Sequence, residues 1–415
     1  MSSVRDQAIR ARAAKKALAL AARKQKDQAL SEVAARLRAA TSAIGDANAR
    51  DLEAGAAAGL APAMLDRLRM DAKGVESTAR AVEHIVSLPD PVGSRGPMQR
   101  LPNGLLAGRE RLPLGVIGIV YESRPNVTID AGVLCLKAGN AVLLRGGKEA
   151  AHTNAVLGRI LREALEAAHL PADSVQIVPP GDRESVREMV GLTGLLDLVI
   201  PRGGEGLVRF VSEHARVPVV LHYKGVCHLF LDQDAELEKS AAIAVNAKAV
   251  RPSACNALEC LLVHEAAAQR LLPGVAQKLA AAGVELRGCP KTRALVPEAK
   301  PAAEDDYGQE FLAKILAIKV VKDISGAIAH IERYGSNHTE AIVTQSYENA
   351  QRFVRELDAS CVIVNASTRF NDGGELGLGA EIGISTSKMH AYGPMGLQGL
   401  TTEKWVVFGE GQVRG

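Results

Sequence analysis

The sequence is poor in aromatic residues, in net charge and in long apolar runs. Aromatic residues make up 3% of the 415 residues, too few for the stacking platforms that bind single-stranded nucleic acid. The 50 lysines and arginines oppose 47 acidic residues, so the net charge of +3 gives no basic field for nucleic acid or anionic membranes. The chain has no run of about 18 apolar residues and no apolar signal core at its N-terminus. We therefore expect a cytoplasmic protein that binds neither nucleic acid nor membrane.

Cysteine is also sparse. The six cysteines include no CxxC pair and form no dense framework, which suits reduced thiols in a reducing compartment and argues against a zinc site. We predict no bound metal. The chain is long enough for two or more domains, and a hydrophobic share of 47% with 23% charged residues is ordinary for a globular protein.

The hydrophobic pattern changes twice along the chain. Residues 2–94 carry apolar residues at helical spacing, which predicts an all-helical lead-in. Over residues 116–221, and again after Cys227, apolar strands alternate with amphipathic helices, which indicates parallel sheets covered on both faces. We predict an α/β fold in which a doubly wound nucleotide-binding sheet precedes a second α/β domain. Ligands of such sheets lie at the carboxyl ends of the strands.

Two short segments stand outside this alternation. Asn103-Gly104, between short apolar and charged stretches, predicts the turn of a β-hairpin. The tail at 400–409 predicts a final strand, which can pair with the hairpin of another subunit. A plain surface hairpin accounts for the first segment equally well.

The cysteine loop, residues 251–257, is the most informative stretch. It reads Arg-Pro-Ser-Ala-Cys-Asn-Ala and lies between a predicted helix and a predicted strand. A nearby arginine and the polar Ser253 and Asn256 would favour a thiolate, which makes Cys255 a candidate nucleophile. Free cysteine is more often a small buried hydrophobe, and the segment alone favours neither reading.

Three loops that follow predicted strands carry further candidates. Asn126 can cap a helix, which its residue type favours, or can donate from its amide to an oxyanion. The turn at 145–148 carries an arginine and a lysine, which either suit the 2′-phosphate of NADP or are solvated charges. The loop at 203–206 opens a helix and can hold a phosphate, although its glycines depart from the GxGxxG spacing.

These segments resemble the aldehyde dehydrogenase superfamily over essentially the whole chain. Four stretches carry the likeness: YESRPNVT at 121–128, ACNALE at 254–259, VNASTRF at 364–370 and GLGAEIGIST at 377–386. The resemblance implies a Rossmann-type cofactor domain, a second α/β catalytic domain and a small β oligomerisation element. The implied ranges are 1–96 and 116–225 for NADP binding, 226–399 for catalysis, and 97–115 with 400–415 for oligomerisation.

The resemblance also implies roles for individual residues. Cys255 would be the nucleophile, and the Asn126 amide would join the Cys255 backbone N–H in holding the oxyanion. The implied contacts to NADP are Arg145, Gly146, Lys148, Gly203, Gly204 and Glu310. The candidates for binding the substrate carboxylate and phosphate are Arg124, His222, Lys224, Arg251 and Arg369.

One departure from the superfamily argues against hydrolysis of a thioester by this chain. Hydrolytic members carry a glutamate base in Leu-Glu-Leu-Gly-Gly, and the matching segment here, 221–225, reads Leu-His-Tyr-Lys-Gly. Without that carboxylate, water is poorly activated to cleave a thioester. His222 would then be either an assisting group or, as we favour, a packed histidine at a strand end.

The implied activity is the NADPH-dependent reduction of L-glutamyl 5-phosphate to L-glutamate 5-semialdehyde in proline biosynthesis. A homo-oligomer follows from the same resemblance, and a complex with glutamate 5-kinase is compatible with it. One alternative is another acylating semialdehyde dehydrogenase that uses phosphate or coenzyme A. The other is a non-catalytic nucleotide-binding protein of the same fold.

Overall fold

The computed structural model describes residues 3–179, 181 and 183–414, so residues 1, 2 and 415 of the predicted domain ranges lie outside the described residues. The chain forms two compact units. Unit 1 comprises Met1–Leu221, Leu378–Gly383 and Met395–Gly415, and unit 2 comprises His222–Gly377 and Ile384–Pro394. The first boundary therefore falls at 221 where the sequence suggested 225. Among the described helices, none combines the length and the apolarity needed to cross a membrane.

Unit 1 begins with the helical lead-in that the apolar spacing predicts. Its helices are α1 (Val4–Ala19), α2 (Arg23–Ala39), α3 (Thr41–Ala57), α4 (Pro62–Leu68) and α5 (Ala72–Ser87). Helix α2 buries Leu30, Val33 and Leu37, which recur at helical spacing and cover one face. Asp71 caps α5 by accepting a hydrogen bond from the backbone N–H of Gly74, which satisfies one of the free donors at that end.

A hairpin follows the lead-in. Its strands are β1 (Gln99–Arg100) and β2 (Leu106–Pro113), which pair antiparallel. Gly104 has a φ of 85°, a left-handed conformation that glycine adopts without strain, and its N–H donates to the Leu101 carbonyl. The predicted hairpin turn is confirmed.

The first α/β segment forms a four-stranded parallel sheet in the order β5-β4-β3-β6. Its strands are β3 (Val116–Tyr121), β4 (Ala141–Arg145), β5 (Val175–Ile177) and β6 (Leu198–Arg202). The covering helices are α6 (Asn126–Lys137), α7 (Ala151–Ala167), α8 (Arg183–Val190) and α9 (Glu205–His214). Strands β3 and β4 are buried along their whole length, as continuous apolar runs predict for a sheet covered on both faces.

One predicted strand is wrong. The valine-rich segment 217–221 forms a single bridge, between Val219 and Val199 of β6, and no regular strand. Pro218 within it offers a carbonyl, which accepts from the N–H of Val199, but it has no N–H to extend a ladder.

Unit 2 holds a seven-stranded parallel sheet in the order β10-β9-β11-β8-β7-β12-β13. Its strands are β7 (Cys227–Leu231), β8 (Leu258–His264), β9 (Glu285–Gly288), β10 (Lys300–Pro301), β11 (Ile315–Val321), β12 (Thr339–Val343) and β13 (Cys361–Val364). Its helices are α10 (Leu237–Ala249), α11 (Glu265–Ala281), α12 (Pro290–Leu295), α13 (Ile324–Tyr334) and α14 (Tyr347–Glu356). Separate hydrophobic clusters cover its two faces, one built around α10 and α11 and the other around α13 and the buried Phe353 of α14.

Three further strands end the chain: β14 (Gly383–Ser385), β15 (Gly393–Met395) and β16 (Thr401–Phe408). Strand β16 pairs antiparallel with β2 of the same chain, from Thr401 opposite Pro113 to Phe408 opposite Leu106. The predicted final strand is confirmed and pairs with the hairpin of its own chain; its pairing with another subunit stays a prediction. The side chain of Asn140 links the starts of β3 and β16. It accepts a hydrogen bond from the Gly115 N–H, just before β3, and donates one to the Leu400 carbonyl, just before β16.

Candidate active site

The cysteine loop lies between α10 and β8, at the amino edge of the sheet of unit 2. It is a turn rather than a helix: the N–H of Ala254 donates to the Arg251 carbonyl and that of Ala257 to the Ala254 carbonyl. A Cβ on Gly225 would lie 2.0 Å from the Cys255 carbonyl oxygen, so only glycine allows this approach. The Cys255 side chain is half-buried.

A second segment clamps this loop from the other side. The Asn256 amide donates to the backbone carbonyls of Arg369 and Asn371, at 3.3 and 3.0 Å. The Thr368 hydroxyl donates to the Asn256 carbonyl at 2.7 Å. The VNASTRF motif at 364–370 thus holds the cysteine loop in place, and sequence reasoning had given it no such role.

Two imidazoles stand beside the thiol. The ligand atoms of His222, Cys255 and His338 all lie within 4.8 Å of one another, and the two histidine rings are 4.9 Å apart. His338 is fully buried, and burial lowers the pKa of its imidazole well below the usual range, with the charge of His222 acting in the same direction. His338 is therefore neutral at physiological pH.

Sequence reasoning missed His338. It is the residue before β12, in a segment without a local motif, and only the parallel pairing of β12 with β7 brings it to this edge. His222 was included among the candidates. The strand-end part of the favoured reading is wrong, since the segment before His222 is not a strand; the half-buried ring packs against that of His338.

The predicted substrate cations of unit 2 differ in their surroundings. Arg251 is exposed on the cysteine loop, and Arg369 is half-buried in the segment that clamps it. Lys224 donates from Nζ to the Gly308 carbonyl at 2.8 Å, which ties that ammonium to the segment before Glu310. Of the three, Arg251 lies on the cysteine loop and Arg369 lies on the segment that holds this loop, so these two cations belong to the part of the fold that carries Cys255.

In unit 1, Asn126 is the first residue of α6 and is exposed. The preferred reading of Asn126 as a helix cap is wrong, because Pro125 occupies the cap position and makes no side-chain cap. The Asn126 amide instead donates to the carboxylate of Asp130 at 2.8 Å, one helical turn away. Burial raises the pKa of Asp130 to about 6, against the lowering effect of that hydrogen bond. Asp130 thereby holds one N–H of the amide.

The turn after β4 borders a cavity of about 620 Å³ in unit 1. Gly146, Gly147 and Pro179 line it together with one face of α7. A Cβ on Gly146 would come within 2.1 Å of the Asn154 amide nitrogen, so a larger residue would disturb the wall. Lys148, beside the glycine pair, is exposed and can reach an anion.

Arg145 and the glycine loop at 203–206 lie at the same carboxyl ends of the strands and make hydrogen bonds there. The Arg145 guanidinium is buried and donates to the Gly181 carbonyl at 2.7 Å, which holds the loop between β5 and α8. The N–H of Gly204, at the start of α9, donates to the carboxylate of Glu122 at 3.3 Å. Since an anionic oxygen already lies at this helix terminus, the terminus suits a phosphate oxygen as well.

Comparison with known proteins agrees with this architecture. The model of the aldehyde dehydrogenase family matches residues 2–294. The chain belongs to this family. It is an oxidoreductase, and the family uses nicotinamide cofactors. The cavity, the exposed Lys148 and the amino end of α9 in unit 1 fit such a cofactor.

Its similar relatives lie in one branch of the family. Gamma-glutamyl phosphate reductase of Sorangium cellulosum is 60% identical, covering 98% of this chain and 96% of that protein. The enzyme of the same name from Desulfotalea psychrophila is 54% identical over 98% of this chain and 97% of its own. The crystal structure of gamma-glutamyl phosphate reductase from Thermotoga maritima covers 100% of both chains at 45% identity, with a TM-score of 0.98. The chain thus belongs among the gamma-glutamyl phosphate reductases, and the predicted α/β fold is confirmed.

Proposed function

We propose that this chain reduces L-glutamyl 5-phosphate to L-glutamate 5-semialdehyde and phosphate, the second step of proline biosynthesis from glutamate. The observation that carries the proposal is the 60% identity to a gamma-glutamyl phosphate reductase over 98% of the chain. The cysteine loop, which Gly225 and the 364–370 segment hold in one conformation, supports Cys255 as the nucleophile.

Cys255 is the proposed nucleophile. Its thiolate attacks the acyl carbon of the substrate, the carbonyl π electrons move to oxygen, and phosphate leaves as that oxyanion collapses to a thioester. NADPH, when bound, supplies a hydride. The resulting thiohemiacetal releases the aldehyde, and the sulfur regains its electron pair as the C–S bond breaks.

As the family resemblance implies, the proposed donors to the oxyanion are the Cys255 backbone N–H and the amide of Asn126. Asp130 accepts one N–H of that amide, so the other is fixed in direction before the substrate arrives. Preorganised donors of this kind are each worth about 3 to 4 kcal/mol of transition-state stabilisation. Asp130 is in this account a positioning residue.

The fate of the thioester follows from what stands beside the thiol. His222, in the place of the glutamate base of hydrolytic relatives, contributes an imidazole ring 4.9 Å from that of His338. No carboxylate joins His222, Cys255 and His338 in the described cluster of possible metal ligands. The thioester is therefore not hydrolysed quickly, and it exchanges with phosphate or accepts hydride.

NADP is the proposed form of the cofactor. Lys148, with its exposed ammonium, would contact the 2′-phosphate, and the glycine pair 146–147 would line the ribose side of the cavity. Arg145 supports this turn from within, and the loop at Gly203 and Gly204 would take a cofactor phosphate. Glu310 is the proposed contact to the nicotinamide ribose.

Lys148→Glu tests the cofactor assignment. We expect the ratio of kcat/KM for NADP to that for NAD to fall by about 10-fold or more, because one charge-assisted contact of about 1.5 to 3 kcal/mol is lost and a repulsion is added. The exposed Lys73 of α5, changed to Glu, is the matched control and should leave the ratio unchanged. An unaltered ratio in Lys148→Glu would remove the assignment.

The remaining predicted residues are proposed for the substrate. Arg251 and Arg369 would bind its phosphate and carboxylate beside Cys255, and Arg124, Lys224 and His222 complete the set of candidates. Single replacements of each arginine by Lys, compared by KM for glutamate 5-semialdehyde and for phosphate separately, would rank them.

The three-stranded sheet of β1, β2 and β16 is the proposed oligomerisation element, from residues 97–115 and 400–415. Strand β16 exposes three large apolar side chains: Trp405 at 66%, Val407 at 52% and Phe408 at 49%. Large apolar side chains grouped on an edge strand favour pairing with another chain. We propose that the chain forms a homo-oligomer through this sheet, which light scattering tests. We also propose a complex with glutamate 5-kinase, which would pass on the unstable acyl phosphate and which co-purification tests.

The proposed reaction is tested in reverse. Glutamate 5-semialdehyde, NADP and inorganic phosphate are incubated with the enzyme, and the absorbance of reduced cofactor is followed. We expect reduction that depends on phosphate. A rate that needs coenzyme A instead would establish the alternative acylating enzyme, and no rate with either acceptor would contradict the proposed activity.

A further inference from the structure

The imidazoles of His222 and His338 and the thiol of Cys255 form a group of three metal-binding side chains. Their ligand atoms lie within 4.8 Å of one another. In a tetrahedral zinc site the ligand atoms are about 3.3 to 3.6 Å apart, which follows from Zn–N of about 2.0 Å and Zn–S of about 2.3 Å. Small side-chain rotations of about 1 Å at the ligand atoms would therefore close the three around one ion.

A second observation concerns the fully buried imidazole of His338. Its Nδ1 lies 2.7 Å from the hydroxyl of Thr339, which also accepts a hydrogen bond from the amide of Asn371. Its Nε2 is buried and finds no hydrogen-bond partner among the described residues. A buried polar atom without a partner is costly, and it calls for an unseen ion, water or ligand. In the tautomer in which Nδ1 donates to Thr339, Nε2 carries the lone pair that a metal needs.

We propose that His222, Cys255 and His338 bind a zinc ion that reversibly withdraws the thiol from reaction. Three protein ligands leave the fourth position open to water, so the ion can enter and leave by the half-buried side of Cys255. On binding, the S–H bond of Cys255 breaks, its proton passes to solvent, and a sulfur–zinc bond forms with no change of oxidation state. That zinc binding stops catalysis rests on the proposed function.

The burial of His338 supports the assignment, because its Nε2, which has no partner in the described part of the chain, is held away from solvent. The absence of a CxxC pair gave no hint of the site, because the three ligands come from separate loops of the chain.

Another buried set of the same composition serves as the comparison. His228, Cys260 and His330 also have ligand atoms within 4.8 Å of one another. His228 there is paired with the carboxylate of Glu340 at 2.9 Å, so its imidazole holds a proton. All three side chains, from β7, β8 and α13, are buried, so this set is less accessible to an ion than the Cys255 set. Zinc should prefer the Cys255 set.

The experiment uses the full chain after removal of metals with a chelator. Zinc binding is measured by equilibrium dialysis, and Co²⁺ is used as a second probe because cobalt–thiolate bonds absorb in the near ultraviolet. Wild type, Cys255→Ser and His338→Gln are compared with the matched variants Cys260→Ser and His330→Gln. Circular dichroism confirms that each variant is folded.

We expect one zinc ion per chain, and an inhibition of the phosphate-dependent reaction that a chelator reverses. Zinc affinity should fall by at least about 100-fold in Cys255→Ser and His338→Gln, since loss of a ligand costs no less than the 10- to 100-fold lost with a supporting residue. Cys260→Ser and His330→Gln should bind zinc as wild type does. If His338→Gln does not fold, His222→Gln takes its place with the same expected loss.

Two results would overturn the zinc site. One is binding that persists unchanged in Cys255→Ser, and the other is binding lost in Cys260→Ser but kept in Cys255→Ser. A cobalt–thiolate band that depends on Cys255 in a chain without reductase activity would support the site while contradicting the proposed function, so the two can fail separately.

Discussion

Two cysteines five residues apart lie in contrasting sites, each beside two histidines. Cys255 is half-buried on a loop at the amino edge of the sheet, with His222 and His338. Cys260 is fully buried within β8, where its sulfur lies 3.6 Å from Nε2 of His330 and where His228 faces it from β7. Composition is the same in the two groups, so the difference in proposed role must come from burial and from neighbouring charge.

The charge difference comes from one carboxylate. Burial by itself lowers the pKa of His228, but the charge of Glu340, together with hydrogen bonds to Cys260 and Glu340, outweighs burial and raises that pKa to about 10. His338 has no such carboxylate, and burial lowers its pKa. A buried histidine is thus a cation when a carboxylate adjoins it and a neutral ligand or base when none does.

The largest expected effect separates the two thiols. Cys255→Ser should reduce phosphate-dependent kcat by at least about 1000-fold, because the hydroxyl is a far weaker nucleophile at neutral pH. Cys260→Ser, the matched change in the same strand and loop region, should keep kcat within about threefold of wild type. The reverse assay with glutamate 5-semialdehyde measures both. Equal rates from the two variants would end the assignment of Cys255 as nucleophile.

The next effect concerns the buried pair. Glu340→Gln should destabilise unit 2 by about 3 kcal/mol, because removing one partner of a buried ion pair leaves the other uncompensated. Glu265→Gln breaks an ion pair with Lys291 in which both side chains are at least half exposed, and should leave stability close to that of wild type. Hydrogen exchange of the β7 and β12 amides as a function of urea measures both. A small loss in Glu340→Gln would show that the pair is not charged.

The pH dependence of stability sharpens the same comparison. The folded pKa of His228, about 10, lies above its usual value of 6.5, so its contribution is complete below pH 6.5 and declines as pH rises toward 10. The free energy of unfolding of unit 2 should therefore fall over that interval in wild type. Glu340→Gln should lose most of this part of the slope, since Glu340 is the largest of the groups that raise the pKa, ahead of Cys260. A slope that survives the substitution would point to another group.

The smallest effect is that of Cys260→Ala. Deleting one sulfur from a packed site should cost about 1 kcal/mol of stability through the small cavity it leaves. Reductase activity should not change, because Cys260 contacts only buried groups of the sheet and α13. Denaturant midpoints of this variant and of wild type check the expectation, and a large loss of activity would place Cys260 in the catalytic machinery.

The local hydrophobic pattern was sufficient to predict the α/β fold. The apolar run Val116–Tyr121 lies in the segment predicted to alternate apolar strands with helices, and it is a strand, because a strand buried on both faces is mostly apolar along its length. Strand β9 was missed. Its sequence Glu-Leu-Arg-Gly alternates near the sheet edge, and four residues are too few for the pattern to be distinguished from a loop.

Some features of the candidate site could be predicted from the sequence, and others could not. The sequence by itself determined the order of strands and helices, the cysteine loop and, through resemblance, the family, since each depends on neighbours along the chain. Only the tertiary structure decided that His338 lies beside Cys255, that Glu340 stabilises the protonated form of His228, and that the tail strand pairs with β2 of its own chain. Strand register and packing set those distances, and residues far apart in sequence leave no local trace of the contacts they will make.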